Sequence, residues 1–397
     1  MKKKMWILIL LCFLCGCRMP STEVQTSAPE TAVTVTAAPE ETTAPAETEE
    51  APQPEEQETT PKGFDAYVMA QSLSLEEQVG QLFLAVCPDS QAAEDAASYH
   101  LGGYLLFGKD FAQETPDSVR EKIASYQAAA EIPLLIAVDE EGGTVTRVSR
   151  YKAFRESSFP SPRTLYAQGG LEAVLQAEEE KNVLLSSLGI NVNLAPVCDI
   201  TTNRASFMYS RSLGQDPLET GAFVAAVTEV MEKYQIGGVL KHFPGYGNNT
   251  DTHVGIALDN RSLEELEERD LMPFQFGIDA GCDAIMVSHT FVNAMDPGYP
   301  ASLSPAVHDY LRGPMGFDGV IVTDDLGMGA ITDLYGPGEA AVLAVRAGND
   351  LLITSRYRVQ YEAVLQAVLD GRISREQLTE AVTRILQWKY DLGLITE

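Results

Sequence analysis

The 397-residue chain predicts an α/β fold, a parallel sheet of eight strands closed into a (β/α)8 TIM-type barrel that forms one domain. Three observations carry that expectation. Eight short apolar runs recur, at 82–86, 103–107, 134–138, 192–196, 238–241, 284–288, 319–323 and 350–354. Amphipathic helical stretches lie between them, at 171–188, 222–234, 262–280 and 338–347, and a last one at 374–392 follows the eighth run. Ionisable residues stand at the carboxyl ends of five runs: Asp139, Asp199, Lys241 with His242, His289, and Asp324. Loops after the strands are where a barrel builds its site, so five such ends point to one shared polar pocket. An open, doubly wound sheet is the rival, and the strand count favours closure. For Asp199 alone, a cap on the next segment is an equal reading.

Upstream of the barrel the chain changes character twice. It opens MKKKMWILILLCFLCGC, three lysines before an apolar run too short for a permanent membrane span but suited to a secretory signal peptide over 1–17. The run ends Leu14, Cys15, Gly16, Cys17, which looks like the cleavage box of a bacterial lipoprotein and implies lipid on Cys17. Residues 18–62 are almost wholly Ser, Thr, Ala, Pro, Glu and Gln. Such a segment cannot bury enough apolar surface to offset the entropy of ordering, which predicts a disordered stalk. The barrel is then expected over 63–397, outside the cytoplasm and tethered to the membrane by its lipid.

Charge and cysteines narrow the partners. The formal net charge is −29, most of it in the globular part, so nucleic acid is not an expected partner. Three of the six cysteines fall in the signal region. The remaining Cys87, Cys198 and Cys282 are odd in number and scattered, which predicts buried thiols rather than a disulfide framework or a structural zinc site. A monomer that uses no cofactor is expected.

The stretch 237–259, GGVLKHFPGYGNNTDTHVGIALD, carries the densest chemistry. A short apolar strand delivers Lys241 and His242 at its end. Gly245 and Gly247 then allow sharp turns or close approach to a ligand, and Asp251 precedes His253 by two residues. An Asp close to a His orients the imidazole and favours its protonated form, making it a usable proton donor near neutral pH.

KHFPGYG followed by DTH resembles the KHFPGHG…DSH signature of the N-acetylglucosaminidase branch of glycoside hydrolase family 3, whose catalytic unit is a (β/α)8 barrel. The resemblance covers nearly all of 70–394 and implies a single catalytic domain acting on a carbohydrate. VIVTDDLGM, residues 320–328, resembles the family's nucleophile segment, which implies Asp324 as the attacking carboxylate, with Asp325 its competitor. Neighbouring side chains of an extended segment face opposite ways, so only one of the two is expected in the pocket. The family's acid/base dyad aligns with Asp251 and His253. DEEGGTVTR resembles the family's DQEGGRVQR and SRSLG its RSFG segment, so Asp139, Arg147, Arg211, Lys241 and His242 are implied as ligands of the sugar hydroxyls. Forked donors and acceptors suit vicinal hydroxyls. In relatives with a further domain the acid is a Glu there; no such domain is expected here, which favours the His.

The pattern is not matched throughout. Tyr246 replaces a usual second His, the gap before Asp251 is one residue shorter, Ala257 stands where Pro is common, and Glu140 where Gln is usual. The expected activity is that of a retaining β-N-acetylhexosaminidase working by double displacement. The alternatives are a phosphorylase, which would yield a sugar 1-phosphate, a β-glucosidase of the same fold, a lipoprotein that binds sugar without turnover, and a metal site formed by His242, His253 and His289.

Overall fold

The computed structural model describes residues 63–247 and 255–396. The expected leader and stalk, with Cys17, and the expected dyad Asp251 and His253 lie outside the described residues. The eight expected runs all appear as strands: β1 Phe83–Val86, β2 Gly103–Leu106, β3 Leu135–Val138, β4 Val192–Asn193, β5 Gly237–Phe243, β6 Ala284–Val287, β7 Val320–Thr323 and β8 Leu352–Thr354. They pair in the order β8-β1-β2-β3-β4-β5-β6-β7, every pair parallel. The two ends of the sheet meet where Val322 bridges Leu351 in parallel and Thr323 N donates to Leu351 O at 3.0 Å. That contact brings the sheet round into a barrel.

The strands read as unbroken apolar runs because both their faces are covered, by barrel interior and by helices. Leu135, Ile136, Ala137 and Val138 are each fully buried. Helix starts follow from local chemistry. Thr115, Ser161, Asp216 and Ser304 each cap a helix whose next residue is proline, and Ser74 forms a capping box with Glu77. The last helix, Arg375–Asp391, buries Leu378, Ala381, Val382, Ile385, Leu386 and Trp388, spaced three and four apart on one stripe. It packs against the first helix, Ala66–Ser72.

Three details depart from the sequence reading, the first two for a local reason. The stretch 262–280 is two helices, Leu263–Glu267 and Met272–Asp279, because Pro273 lacks an amide hydrogen and suits a helix's first turn. The helix expected from 171 begins at Pro162 and is kinked by Gly169 and Gly170. Strand β4 stops at Asn193 rather than 196, although Leu194 N still donates to Val138 O at 2.8 Å and Val197 bridges Lys241 in parallel beyond it. A short parallel ribbon, Leu258–Asp259 with Phe291–Val292, ties the loop after β5 to the loop after β6 at the carboxyl rim. Cys87, Cys198 and Cys282 are free and buried, as expected.

Candidate active site at the carboxyl mouth of the barrel

A cavity of about 320 Å³ opens at the carboxyl ends of the strands. Asp139, Arg147, Arg211, Lys241 and His242 all line it, and so does Asp324. Leu105, Phe107, Val145, Leu194, Met286, Met328 and Ile353, with the rings of Phe207 and Tyr246, complete its lining. A second cavity, of about 370 Å³, lies at the opposite end of the barrel beside Asp283, Asp318 and Trp388. The amino face of a barrel serves stability and the carboxyl face serves chemistry.

Charges in the mouth alternate. Lys241 Nζ lies 2.7 Å from Asp139 Oδ1 and 2.6 Å from Glu141 Oε1. Arg211 grips Glu141 with two parallel bonds, Nε to Oε2 at 2.9 Å and Nη2 to Oε1 at 2.7 Å. Burial alone would raise the Glu141 carboxyl, but Arg211 and Lys241 outweigh it and hold the group well below the usual carboxylate range. Burial likewise works against the charge on Arg211, and Glu141 overrides it, holding the guanidinium above its ordinary value. Arg147 Nη2 reaches Asp139 Oδ2 at 3.4 Å, and the guanidinium carbon Cζ lies over the Phe107 ring, 5.4 Å from its centroid.

The turn after β3 sets these positions. Glu140 Oε2 accepts from Arg147 N at 2.7 Å and Val148 N at 2.8 Å, and Oε1 accepts from Ser149 Oγ. The buried carboxylate therefore works as an internal cap that folds Arg147 back over Asp139. Gly142, at φ +100°, leaves no room for a side chain: a Cβ there would meet Pro160 O at 2.4 Å.

Consecutive residues Lys241 and His242 both face the cavity. A regular strand would send them to opposite sides, but the pairing of β5 with β6 shifts register between Lys241 and Phe243. His242 Nδ1 meets Asp199 Oδ2 at 2.7 Å, while its Nε2 is 3.2 Å from Arg211 Nη2. Tyr246 lies edge-on to both His242 and Phe207, at centroid distances of 5.1 Å and 4.9 Å.

Five strand ends were expected to form one pocket, and three do. Asp199 is neither a helix cap nor a lining residue; it sits behind His242. His289 is also behind the wall, its Nδ1 2.7 Å from Ser302 Oγ and its Nε2 2.9 Å from Asp325 O. With both ring nitrogens of His242 and of His289 engaged, neither is arranged as a metal ligand. Asp324 and Asp325 both line the cavity, contrary to the expected alternation, because the chain leaves extended geometry after Thr323. Asp324 Oδ1 accepts from Asp325 N at 2.8 Å, and Asp325 Oδ1 accepts from Gly327 N at 2.8 Å. Sequence reading passed over Glu141; its placement two residues after Asp139, on a turn rich in glycine, was the available sign.

A parallel barrel with carboxylates and cations facing one another across its carboxyl mouth is the architecture of a barrel hydrolase. Residues 74–388 match the glycosyl hydrolase family 3 N terminal domain, and the chain belongs to that family and is a glycosidase. It is 36% identical over 297 residues to a β-hexosaminidase of Stenotrophomonas maltophilia (strain K279a), covering 70% of this chain and 85% of that protein. A β-hexosaminidase of Xylella fastidiosa (strain M23) is 36% identical over 301 residues, covering 72% and 86%. The solved family 3 β-N-acetylglucosaminidase from Paenibacillus sp. str. FPU-7 superposes with a TM-score of 0.75 at 34% identity; the match covers 81% of this chain and 63% of that one. The β-N-acetylhexosaminidase from Beutenbergia cavernae superposes with a TM-score of 0.72 at 28% identity, covering 80% and 99%.

Proposed function

We propose that the protein is a retaining β-N-acetylhexosaminidase that releases terminal β-linked N-acetylglucosamine from cell-wall fragments or similar glycans. The observation that carries the reading is that Asp324 opens onto the same cavity as Asp139, Arg147, Arg211, Lys241 and His242. A nucleophile and a set of forked polar groups are thereby offered to one sugar ring. Its β-hexosaminidase relatives support the substrate class.

In this reading Asp324 attacks the anomeric carbon while His253, oriented by Asp251, protonates the departing glycosidic oxygen. The C–O bond breaks, a glycosyl ester forms on Asp324, and the aglycone leaves with the proton. His253 then removes a proton from water, which attacks the same carbon and frees Asp324 with net retention. The cations Arg147, Arg211 and Lys241 hold Asp139 and the sugar hydroxyls in place through the first and second steps alike. An acidic protein tethered by lipid at Cys17 would work outside the cytoplasm; no described helix is long and apolar enough to cross a membrane.

Aryl β-glycosides that differ only at C2, N-acetyl against hydroxyl, test the activity. Rapid release from the N-acetyl compound, with the anomer retained, is expected. Preference for the hydroxyl compound would reassign the enzyme as a β-glucosidase, and sugar 1-phosphate formed only with added phosphate would reassign it as a phosphorylase. Membrane fractionation of the full chain against Cys17→Ala tests the anchor; equal recovery in the soluble fraction would remove it.

A further inference from the structure

We propose that Asp199 is a positioning residue, one buried carboxylate that fixes His242 as its Nδ1–H tautomer and ties down the start of the loop after β5. The inference rests on the reading of the mouth as the sugar site. Asp199 is 2% exposed and does not line the cavity. Among the described residues it accepts three hydrogen bonds, all from a segment more than forty residues away. His242 N and Nδ1 reach Oδ2 at 3.1 and 2.7 Å, and Tyr246 N reaches Oδ1 at 2.7 Å. A carboxylate that merely capped the next segment would bond to its own neighbours.

The tautomer follows from who can donate. An ionised carboxylate only accepts, so the proton in the 2.7 Å contact belongs to His242 Nδ1. A guanidinium only donates, so Arg211 Nη2, 3.2 Å away, needs a lone pair on Nε2. The ring is therefore read from both sides in the same sense. Donors and acceptors then run unbroken from Asp199 through His242, Arg211, Glu141 and Lys241 to Asp139, from behind the wall to a carboxylate that faces the sugar. Asp199→Asn breaks this wherever its amide points. Turned to His242, the NH2 meets Nδ1–H and forces the proton to Nε2, against Arg211. Turned to Tyr246, it opposes that amide hydrogen and releases the loop root.

The test is a nitrogen-15 spectrum of histidine-labelled full-length protein, the His242 signals assigned by their loss in His242→Gln. The wild type should show a protonated, pyrrole-type Nδ1 and a bare, pyridine-type Nε2. A proton on Nε2 in the wild type overturns the proposal, and this measurement stands even if Asp199→Asn does not fold. In folded Asp199→Asn the ring should change tautomer or exchange between forms, and kcat/KM on the aryl N-acetyl-β-glucosaminide should drop on the order of 10²-fold, as expected of misplaced binding groups. An unaltered ring with wild-type kcat/KM also overturns it. Absence of glycosidase activity in the wild type would sink the functional reading, while the spectrum still judges the tautomer.

Discussion

Lys241 stands between two acids, its Nζ 2.7 Å from Asp139 and 2.6 Å from Glu141, with its side chain almost wholly out of water. Only Asp139 of the two acids faces the cavity. Glu141 works from behind, holding Lys241 and Arg211 together so that two cations can sit side by side in a dry wall. Removing one partner of such a cluster leaves uncompensated buried charge. Glu141→Gln should lose about 3–5 kcal/mol of stability and most of its activity, read by urea unfolding and by kcat/KM. Wild-type stability in that variant would mean that water or another group balances the cations.

The adjacent carboxylates at the end of β7 are separable by mutation. Asp324→Asn should lose turnover by on the order of 10⁴-fold or more, as removal of a nucleophile does. Asp325→Asn should keep far more of it, because the Asp325 carboxylate is spent on the turn through Gly327 N. A reversal of that order, measured with one aryl glycoside, would reassign the nucleophile.

His253→Ala should slow substrates with poor leaving groups much more than activated aryl glycosides, which need little proton assistance. The readout is the dependence of kcat/KM on leaving-group acidity, steep in the variant and shallow in the wild type. Equal losses across the series would take the acid role from His253.

Lys389 offers a prediction about pH and stability. It is fully buried, its Nζ donates to Gln81 Oε1 at 2.6 Å, and burial pushes its ammonium down to about 7. Between that value and the ordinary lysine range the unfolded chain holds a proton that the folded chain does not. Stability should therefore rise with pH from about 7 towards 10, by up to about 1.4 kcal/mol per pH unit, and be flat in this respect below 7. Lys389→Met should remove that slope and raise the unfolding midpoint at pH 7. An unchanged slope would place the titration elsewhere.

Much of the barrel was legible because each strand is a local apolar run and several helix starts carry their own cap, as at Thr115–Pro116 and Asp216–Pro217. Pro273 and the pair Gly169 and Gly170 were equally local signs, and weighing them would have placed the helix breaks. The lining of the mouth by Asp139, Arg147, Arg211, Lys241, His242 and Asp324 was legible by position at strand ends and by resemblance. What lay beyond reach was the long-range pairing. Nothing near Asp199 in the chain says that its acceptors serve His242 and Tyr246, and nothing near Glu141 says that it binds Arg211, 70 residues on. His289 shows the converse: a His at a strand end that folding turned to Ser302 and the Asp325 carbonyl instead of the cavity.

The most direct measurement is to trap the covalent intermediate with a slowly released 5-fluoro glycosyl fluoride of N-acetylglucosamine and to map the modified peptide by mass spectrometry. One fluorinated N-acetylhexosaminyl group on Asp324, absent from Asp324→Asn, is the predicted result. A label on Asp325 or another carboxylate, or steady turnover of the reagent with no labelled peptide at any time, would contradict the proposed nucleophile.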